Sequence, residues 1–567
     1  MKLIKSKYIF LAWLLFISCQ EKFLEVPPTG SLLKTTLVTA AGIEGTLIGA
    51  YSVLTGKGYS FYSGSTNWFW GSVLGGDCYK GSNFGDQAQM NEIQSYATLK
   101  TNTSLLSKYR TSYEGVVRAN AVLSLLSKAS KDPKVSKDLS EADKKRLEGE
   151  AKFLRGHYYF DLKKIFNDTP YIDENTSAPI VKNDVNLWPK IEADFQYAYD
   201  NLPEKQSNIG RANKWAAGAY LGKAFLFQGK WKEAKPVFDA VIERGTTAGG
   251  TKYNLMPNFA DLFHAPTCEN NEESVFAIQA VVGTGNAANA NTDFILNYPM
   301  GGGPAGCCGF AQPSFDLVNS FRTNAQGLPL LDGSYNNAAN ALKHDMTLLS
   351  KDPFTPDNGN LDPRLDHSVG RRGIPYWNWG DHPGYAWIRE QVYGGPYAPK
   401  KFVYQKGEEV DRGTWNPLTG NNFPIIRFAD VLLMAAEAEA ELGNFEQAKT
   451  LVNRVRSRAK TGGVVMKEGR PAAKYAVDLY TNAWTDLNTA REAVRFERKL
   501  ELSGEGHRFF DLVRWGVAEK VLNAYIANNL ANNLGIAFNG VKFTPGKSEY
   551  QPIPQQEIDI AGSDNFK

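Results

Sequence analysis

Two stretches of this chain repeat one hairpin pattern at the same spacing, and that repetition constrains the fold more than any other feature. In AFLFQGKWKEAK, Ala224 is followed by Gly229, Trp231 and Ala234. In AEAELGNFEQAK, Ala438 is followed by Gly443, Phe445 and Ala448. Small alanines let two antiparallel helices approach closely. A glycine permits the turn between them, and an aromatic side chain opens the second helix. The copies lie far apart in sequence, so they are not a tandem array. Helical pairs around Tyr113–Leu126 with Leu147–Phe166, and around Arg491–Gly516, extend the set to about four units. The expected fold is mainly α, a scaffold of about four helical hairpins carrying large irregular loop insertions and small strands.

Arg491–Gly516, REAVRFERKLELSGEGHRFFDLVRWG, carries the sharpest local pattern. Arg491, Arg495 and Arg498 interleave with Glu492, Glu497 and Glu501, so opposite charges fall three or four residues apart. Gly504 and Gly506 end that helix, as residues that take left-handed backbone angles. Phe509, Phe510, Leu512, Val513 and Trp515 supply the buried side of a second helix. Glu497, Glu505, His507 and Asp511 can be drawn as catalytic groups. The charge alternation fits instead a buried ion-pair network at a helix corner, which needs no cleft.

The hairpins follow the logic of tetratricopeptide units. Four motifs also resemble, in order, the signatures of the SusD/RagB family, surface lipoproteins of Bacteroidetes that bind glycans beside a TonB-dependent outer-membrane transporter. Ala151–Ile172, AKFLRGHYYFDLKKIFNDTPYI, resembles the N-terminal helical signature, and Asn422–Ala459 resembles the central one. Arg491–Gly516 resembles the C-terminal signature, and Pro552–Ile558, PIPQQEI, the terminal one. The resemblance implies a non-catalytic carbohydrate-binding lipoprotein of polysaccharide uptake, which passes oligosaccharide to a partner SusC-like transporter. Some members bind peptides, so a surface peptide-binding lipoprotein is the alternative. A glycoside hydrolase ranks lower, because its two carboxylates need a defined separation and no motif supplies the pair. Residues 31–260 correspond to the N-terminal SusD-like helical part and 261–567 to the C-terminal part, within one compact unit. No catalytic residue, cofactor or metal is implied.

The N-terminus bears on the compartment. Lys2, Lys5 and Lys7 precede Tyr8–Ile17, an apolar run of signal-peptide length that is too short to span a bilayer as a helix. Ser18-Cys19 follows. Residues 1–18 are expected to be a lipoprotein signal peptide, and Cys19 the lipidated first residue of the mature chain. Residues 19–30, with Pro27, Pro28 and Gly30, form a tether. Each buried methylene of an acyl chain adds about 0.8 kcal/mol to membrane attachment. The expected location is the outer membrane, lipid-anchored, and the resemblance implies that the body faces the cell exterior.

The charge balance offers no footprint for nucleic acid, with a net charge of +3 over 567 residues. The histidines are scattered, without a pair at ligand spacing, and Asp352–Asp366 lacks an EF-hand pattern. Cys78, Cys268, Cys307 and Cys308 match no zinc spacing. For adjacent Cys307-Cys308, three states stay open: a vicinal disulfide, pairing elsewhere, or reduced burial.

Aromatic residues are abundant, with 12 Trp, 26 Tyr and 31 Phe, and some cluster in Gly-rich segments. Sugars offer apolar C–H faces and a rim of hydroxyls, so a sugar site needs flat rings beside hydrogen-bonding groups. Asn67–Gln87 offers Trp68, Trp70, Tyr79 and Phe84 as rings, with Asp77, Lys80, Asn83, Asp86 and Gln87 as polar partners. Arg371–Tyr397 offers Tyr376, Trp377, Trp379, Tyr385, Trp387, Tyr393 and Tyr397 among Arg371, Arg372, Asn378, Asp381 and Arg389. The residues favoured for ligand contact are Trp68, Trp70, Asp77, Lys80, Arg372, Trp377, Trp379 and Tyr393. The family's acidic loop residue corresponds best to Asp77. Trp, Tyr and Arg also dominate protein–protein hot spots, so the second segment has the transporter interface as a competing use.

Overall fold

The structure, a computed structural model, describes residues 37–56, 61–408 and 416–566. The expected signal peptide, Cys19 and the tether lie outside the described residues. Among the described residues no helix is long and apolar enough to cross a membrane.

The N-terminal helices begin where the sequence supplies caps. Thr39 Oγ1 accepts from Gly42 N at 3.0 Å and opens α1 (Ala40–Tyr51). Asn102 Oδ1 accepts from Ser104 N and Leu105 N at 3.0 and 3.1 Å and opens α2 (Thr103–Lys131). Ser140 Oγ accepts from Asp143 N at 3.0 Å and opens α3 (Glu141–Phe166). Such caps satisfy amides that a helix start otherwise leaves unpaired. Helices α2 and α3 form the first hairpin, and α4 (Trp188–Asn201) packs on α3. Close approach there uses absent side chains: a β-carbon on Gly156 would meet the Phe195 ring at 2.9 Å.

The repeated pattern forms the two hairpins it predicts. Helices α5 (Lys214–Leu226) and α6 (Trp231–Arg244) make one, and α7 (Phe428–Glu441) and α8 (Phe445–Thr461) the other. Gly229 and Gly443 turn between the helices with φ of 67° and 83°. Ala224, Ala234, Ala438 and Ala448 are all completely buried. Helix α6 packs on α7, so the two copies are neighbours in space despite their distance in sequence. Lys235 Nζ of α6 reaches Glu439 Oε1 of α7 at 2.5 Å.

Helix α9 (Leu487–Glu501) lies on α7 and α8. Gly504 and Gly506, with φ of 75° and 80°, turn the chain into α10 (Arg508–Arg514). The small strands are two-stranded ribbons. In the longest, β1 (Ser274–Ile278) runs antiparallel to β2 (Phe423–Arg427), with Phe276 opposite Ile426.

A buried ionic layer lies where α8, α9 and the two strands meet. Arg427 Nη1 donates to Glu273 Oε1 at 2.7 Å and Glu501 Oε1 at 2.5 Å, and its Nε donates to Glu505 Oε2 at 2.8 Å. Arg364 Nη1 donates to Glu497 Oε1 at 2.7 Å and Glu501 Oε2 at 2.8 Å, and Arg456 reaches Glu497 at 2.9 Å. Burial drives the Glu505 carboxyl upward, but Arg427 and Lys401 outweigh it and hold the group below its ordinary range. Burial also draws His507 down to about 3. Glu497, Glu501, Glu505 and Asp511 of the Arg491–Gly516 segment are thus engaged in interior ion pairs, whereas Glu492 is exposed.

Candidate ligand-binding face

The first aromatic segment folds inward before it reaches the surface. Asn67 takes a left-handed conformation (φ 50°), and Trp68–Val73 form a π-helical turn laid against the Gly504–Gly506 corner. Ser72 Oγ accepts from Gly506 N at 2.9 Å, and Asp77 Oδ2 accepts from Gly504 N at 3.0 Å. Trp68 and Trp70 are 1% and 0% exposed, and their Nε1 atoms donate to the carbonyls of Phe61 and Tyr62, each at 2.7 Å. Neither ring presents a face to a ligand in this conformation, so their expected stacking role is revised to a core one. Asp77 is also buried, and burial pushes its carboxyl up to about 6.

Lys80 is a support beneath the surface. Its Nζ donates to the carbonyls of Asn83 and Asp86 at 2.8 and 2.7 Å and lies 4.9 Å from the Tyr393 ring centre. Burial lowers its pKa to about 7. Tyr393 is buried and donates its hydroxyl to Asn91 Oδ1 at 2.6 Å. Arg372, also buried, donates to the carbonyls of Ser350 and Asp352 at 2.7 and 2.5 Å. These three therefore hold loops in place. Trp377 and Trp379 are half-buried: their Nε1 atoms donate to Lys400 O at 3.2 Å and Tyr404 O at 3.0 Å. The Trp377 ring packs edge-on against His264 at 4.1 Å, and Lys406 Nζ stands 5.1 Å from Trp379.

What the fold does bring together is the outer end of both segments. Phe84 is 55% exposed and meets Tyr393 edge-on at 6.2 Å. Arg389 Nη1 donates to Asp86 Oδ2 at 2.5 Å and to Ser82 Oγ at 2.9 Å, and Ser82 Oγ donates to Asp86 Oδ2 at 2.9 Å. Tyr385, in the same segment as Arg389, is 42% exposed. Between them runs the Gly-rich stretch 300–310. Ser82 N donates to Gly309 O at 2.5 Å on one side, and Met300 N donates to Trp387 O at 3.0 Å on the other. Asp86 and Arg389 thus orient one another in the segment that carries exposed Phe84, and Tyr385 is a second exposed ring in the segment that carries Arg389. Such a set can cover the apolar face of a sugar and bond to its hydroxyls, with Asp86 accepting and Arg389 donating.

The Gly-rich stretch was not singled out as a site in the sequence; its signal was the run Gly301-Gly302-Gly303 beside adjacent cysteines. Phe84, Asp86, Tyr385 and Arg389 were inside the two segments but were not among the favoured residues. Of the open states for the cysteine pair, the structure contains the vicinal disulfide Cys307–Cys308.

Residues 272–563 match the model of the SusD family, and residues 22–226 match a second model described as starch-binding associating with outer membrane. The chain therefore belongs to the SusD/RagB family. It is 24% identical to a SusD-like protein of Bacteroides ovatus over 550 residues, 92% of this chain and 85% of that one. Its fold matches a SusD superfamily protein of Bacteroides vulgatus with TM-score 0.68 at 21% identity, covering 93% of this chain and 98% of that one. It also matches surface glycan-binding protein A of Bacteroides thetaiotaomicron in complex with laminarihexaose, with TM-score 0.62 at 19% identity, covering 92% and 98%.

Proposed function

We propose that this chain is a non-catalytic, cell-surface glycan-binding lipoprotein that captures oligosaccharide and passes it to a SusC-like TonB-dependent transporter. The observation that carries the binding step is the pair of Asp86 with Arg389, which joins two remote segments that each carry an exposed ring, Phe84 in one and Tyr385 in the other. A fold relative bound to laminarihexaose supports the ligand class. The transporter partner, the lipid on Cys19 and the outer-membrane location follow from the family resemblance and from the Lys-rich, apolar, Ser18-Cys19 N-terminus. In mechanism, the rings remove sugar C–H surface from water while Asp86 and Arg389 fix hydroxyl orientation. Binding then concentrates substrate at the transporter mouth.

The test is calorimetric titration of the mature chain with laminarihexaose, maltohexaose and a mixed peptide pool, with reducing-end release followed in parallel. Binding of a hexasaccharide without release of reducing ends is expected. Phe84→Ala and Tyr385→Ala should each weaken it about tenfold with melting unchanged. Trp68→Ala and Trp70→Ala should instead destabilise the fold by about 3–5 kcal/mol, as cavity-forming aromatic truncations do. Steady release of reducing ends, or binding of peptide alone, would overturn this reading.

A further inference from the structure

A cleft of about 800 Å³ opens where the turn after Tyr96 meets the C-terminal tail, a size usual for ligand clefts. Leu99, Asn167, Lys547, Tyr550, Gln551 and Pro552 are among the residues that line it, and none of Phe84, Asp86, Tyr385 and Arg389 does. Its walls are fixed to the scaffold. Tyr96, which also lines it, donates its hydroxyl to Leu74 O at 2.8 Å and packs edge-on against Phe543 at 5.3 Å. Gln551 N donates to Ile165 O at 2.7 Å, and Gln555 N to Lys100 O at 2.8 Å, so the tail is bound both to α3 and to the turn. The loop 544–549 closes on itself: Thr544 N donates to Ser548 Oγ and Gly546 N to Glu549 Oε1, each at 3.0 Å. A site built this way is formed before the ligand arrives, so little ordering opposes binding. Two apolar side chains from remote segments present surface there, Leu99 at 56% exposure and Tyr550 at 40%. Burial, with the Glu549 and Asp168 charges nearby, raises the Tyr550 pKa, so its hydroxyl keeps its proton. Thr98 Oγ1 donates to Gln551 Oε1 at 2.6 Å, which fixes the amide and leaves Nε2 without a partner among the described residues.

We propose that this cleft is a second sugar-binding site, with the Tyr550 ring and Leu99 against the C–H face of a hexose unit and Gln551 Nε2 and Lys547 Nζ donating to its hydroxyls. The ligand class rests on the glycan reading above, and the site is additional to the Asp86–Arg389 region. An amide with its oxygen already engaged offers two N–H donors, and an ammonium offers three, all suited to hydroxyl oxygens. A phenol ring with one wet end joins an apolar face to a polar tip, as a sugar surface requires.

Two measurements test this, with laminarihexaose and maltohexaose as probes. First, each sugar is titrated calorimetrically into the wild type, Phe84→Ala, Tyr550→Ala and Leu99→Ser, with melting recorded for each. Second, acetylation of Lys547 by an activated ester is followed by peptide mass, with and without sugar. The wild type should bind two equivalents of sugar. Tyr550→Ala and Leu99→Ser should each weaken one of them about five- to tenfold and keep the other, at unchanged melting. Sugar should slow Lys547 acetylation in the wild type, and that protection should be lost in Tyr550→Ala. If Phe84→Ala weakens binding, yet Tyr550→Ala and Leu99→Ser bind as the wild type does and sugar leaves Lys547 unprotected, the cleft is rejected and the first site stands. If Tyr550→Ala weakens binding and Lys547 is protected while Phe84→Ala binds as the wild type does, the cleft stands and the first site falls. If the wild type binds neither hexasaccharide, both readings fail together.

Discussion

Asp293 lies buried beneath the loop that leads into the first aromatic segment, with Thr66 Oγ1 donating to its carboxylate. Burial pushes its carboxyl from 3.8 up to about 7, against weaker pulls from Thr66, Lys108 and the Gly64 amide. The unfolded chain ionises this group near 3.8. Its contribution to stability is therefore complete below that pH and is lost as pH rises through about 7. Asp293→Asn removes the titration. Relative to the wild type, the variant should gain stability between pH 4.5 and pH 8, with a ceiling of about 3 kcal/mol at roughly 1.4 kcal/mol per pKa unit. Urea unfolding of both proteins at the two pH values reads the difference, and parallel changes would reject it. The same scale explains which site residues escaped the sequence. Trp68 and Phe84 share one Gly-rich segment, and composition cannot say which ring turns inward. That choice is made by Asn67 and the π-helical turn, which point Trp68 and Trp70 at the carbonyls of Phe61 and Tyr62.

At the scale of elements, the π-helical turn and the corner before α10 behave as one joint. Gly71 has no room for a side chain, because a β-carbon would drive into the Gly506 carbonyl. Gly506 has φ of 80°, and a β-carbon there would run into the Thr66 carbonyl. The glycines expected to end a helix thus also let a remote loop dock on that corner, through the bonds from Gly504 N to Asp77 and from Gly506 N to Ser72. The turn was legible locally, since glycine supplies left-handed angles. The docking was not, because it joins backbones more than 400 residues apart. Gly506→Ala should cost about 2–4 kcal/mol, combining left-handed strain with overpacking against fixed backbone. Gly516→Ala is the control: its φ is also positive, at 67°, but its side chain would meet open space. It should cost only the conformational part, about 1–2 kcal/mol. Chemical unfolding of the two variants gives the comparison, and equal costs would show that contact with the loop contributes nothing.

At the scale of the whole molecule, the helical frame was legible because the hairpins repeat a spacing, and because small residues must occupy close helix crossings. The ionic layer was legible only in part. The alternating charges of Arg491–Glu501 predicted ion pairs, but the partners Arg364, Arg427, Arg456 and Arg458 come from other regions of the chain. Arg427 is the hub. Its three nitrogens serve Glu273, Glu501 and Glu505 together with the Glu501 carbonyl, so strand β2 is fixed to β1, to α9 and to the corner beyond it. Removing one partner from such a buried set leaves carboxylates without compensation, which costs about 3–5 kcal/mol. Arg427→Met should therefore destabilise the protein by about that amount. Arg427→Lys should recover little, because one ammonium cannot match a planar fork of donors spread over several acceptors. The double variant Arg427→Met with Glu501→Gln should be less destabilised than the sum of its single changes, since it removes opposite charges from one contact. Equilibrium unfolding in urea at pH 7 measures the wild type and the four variants. If the costs of Arg427→Met and Glu501→Gln simply add, the layer is a set of independent contacts and does not lock the strands to the helices as a unit.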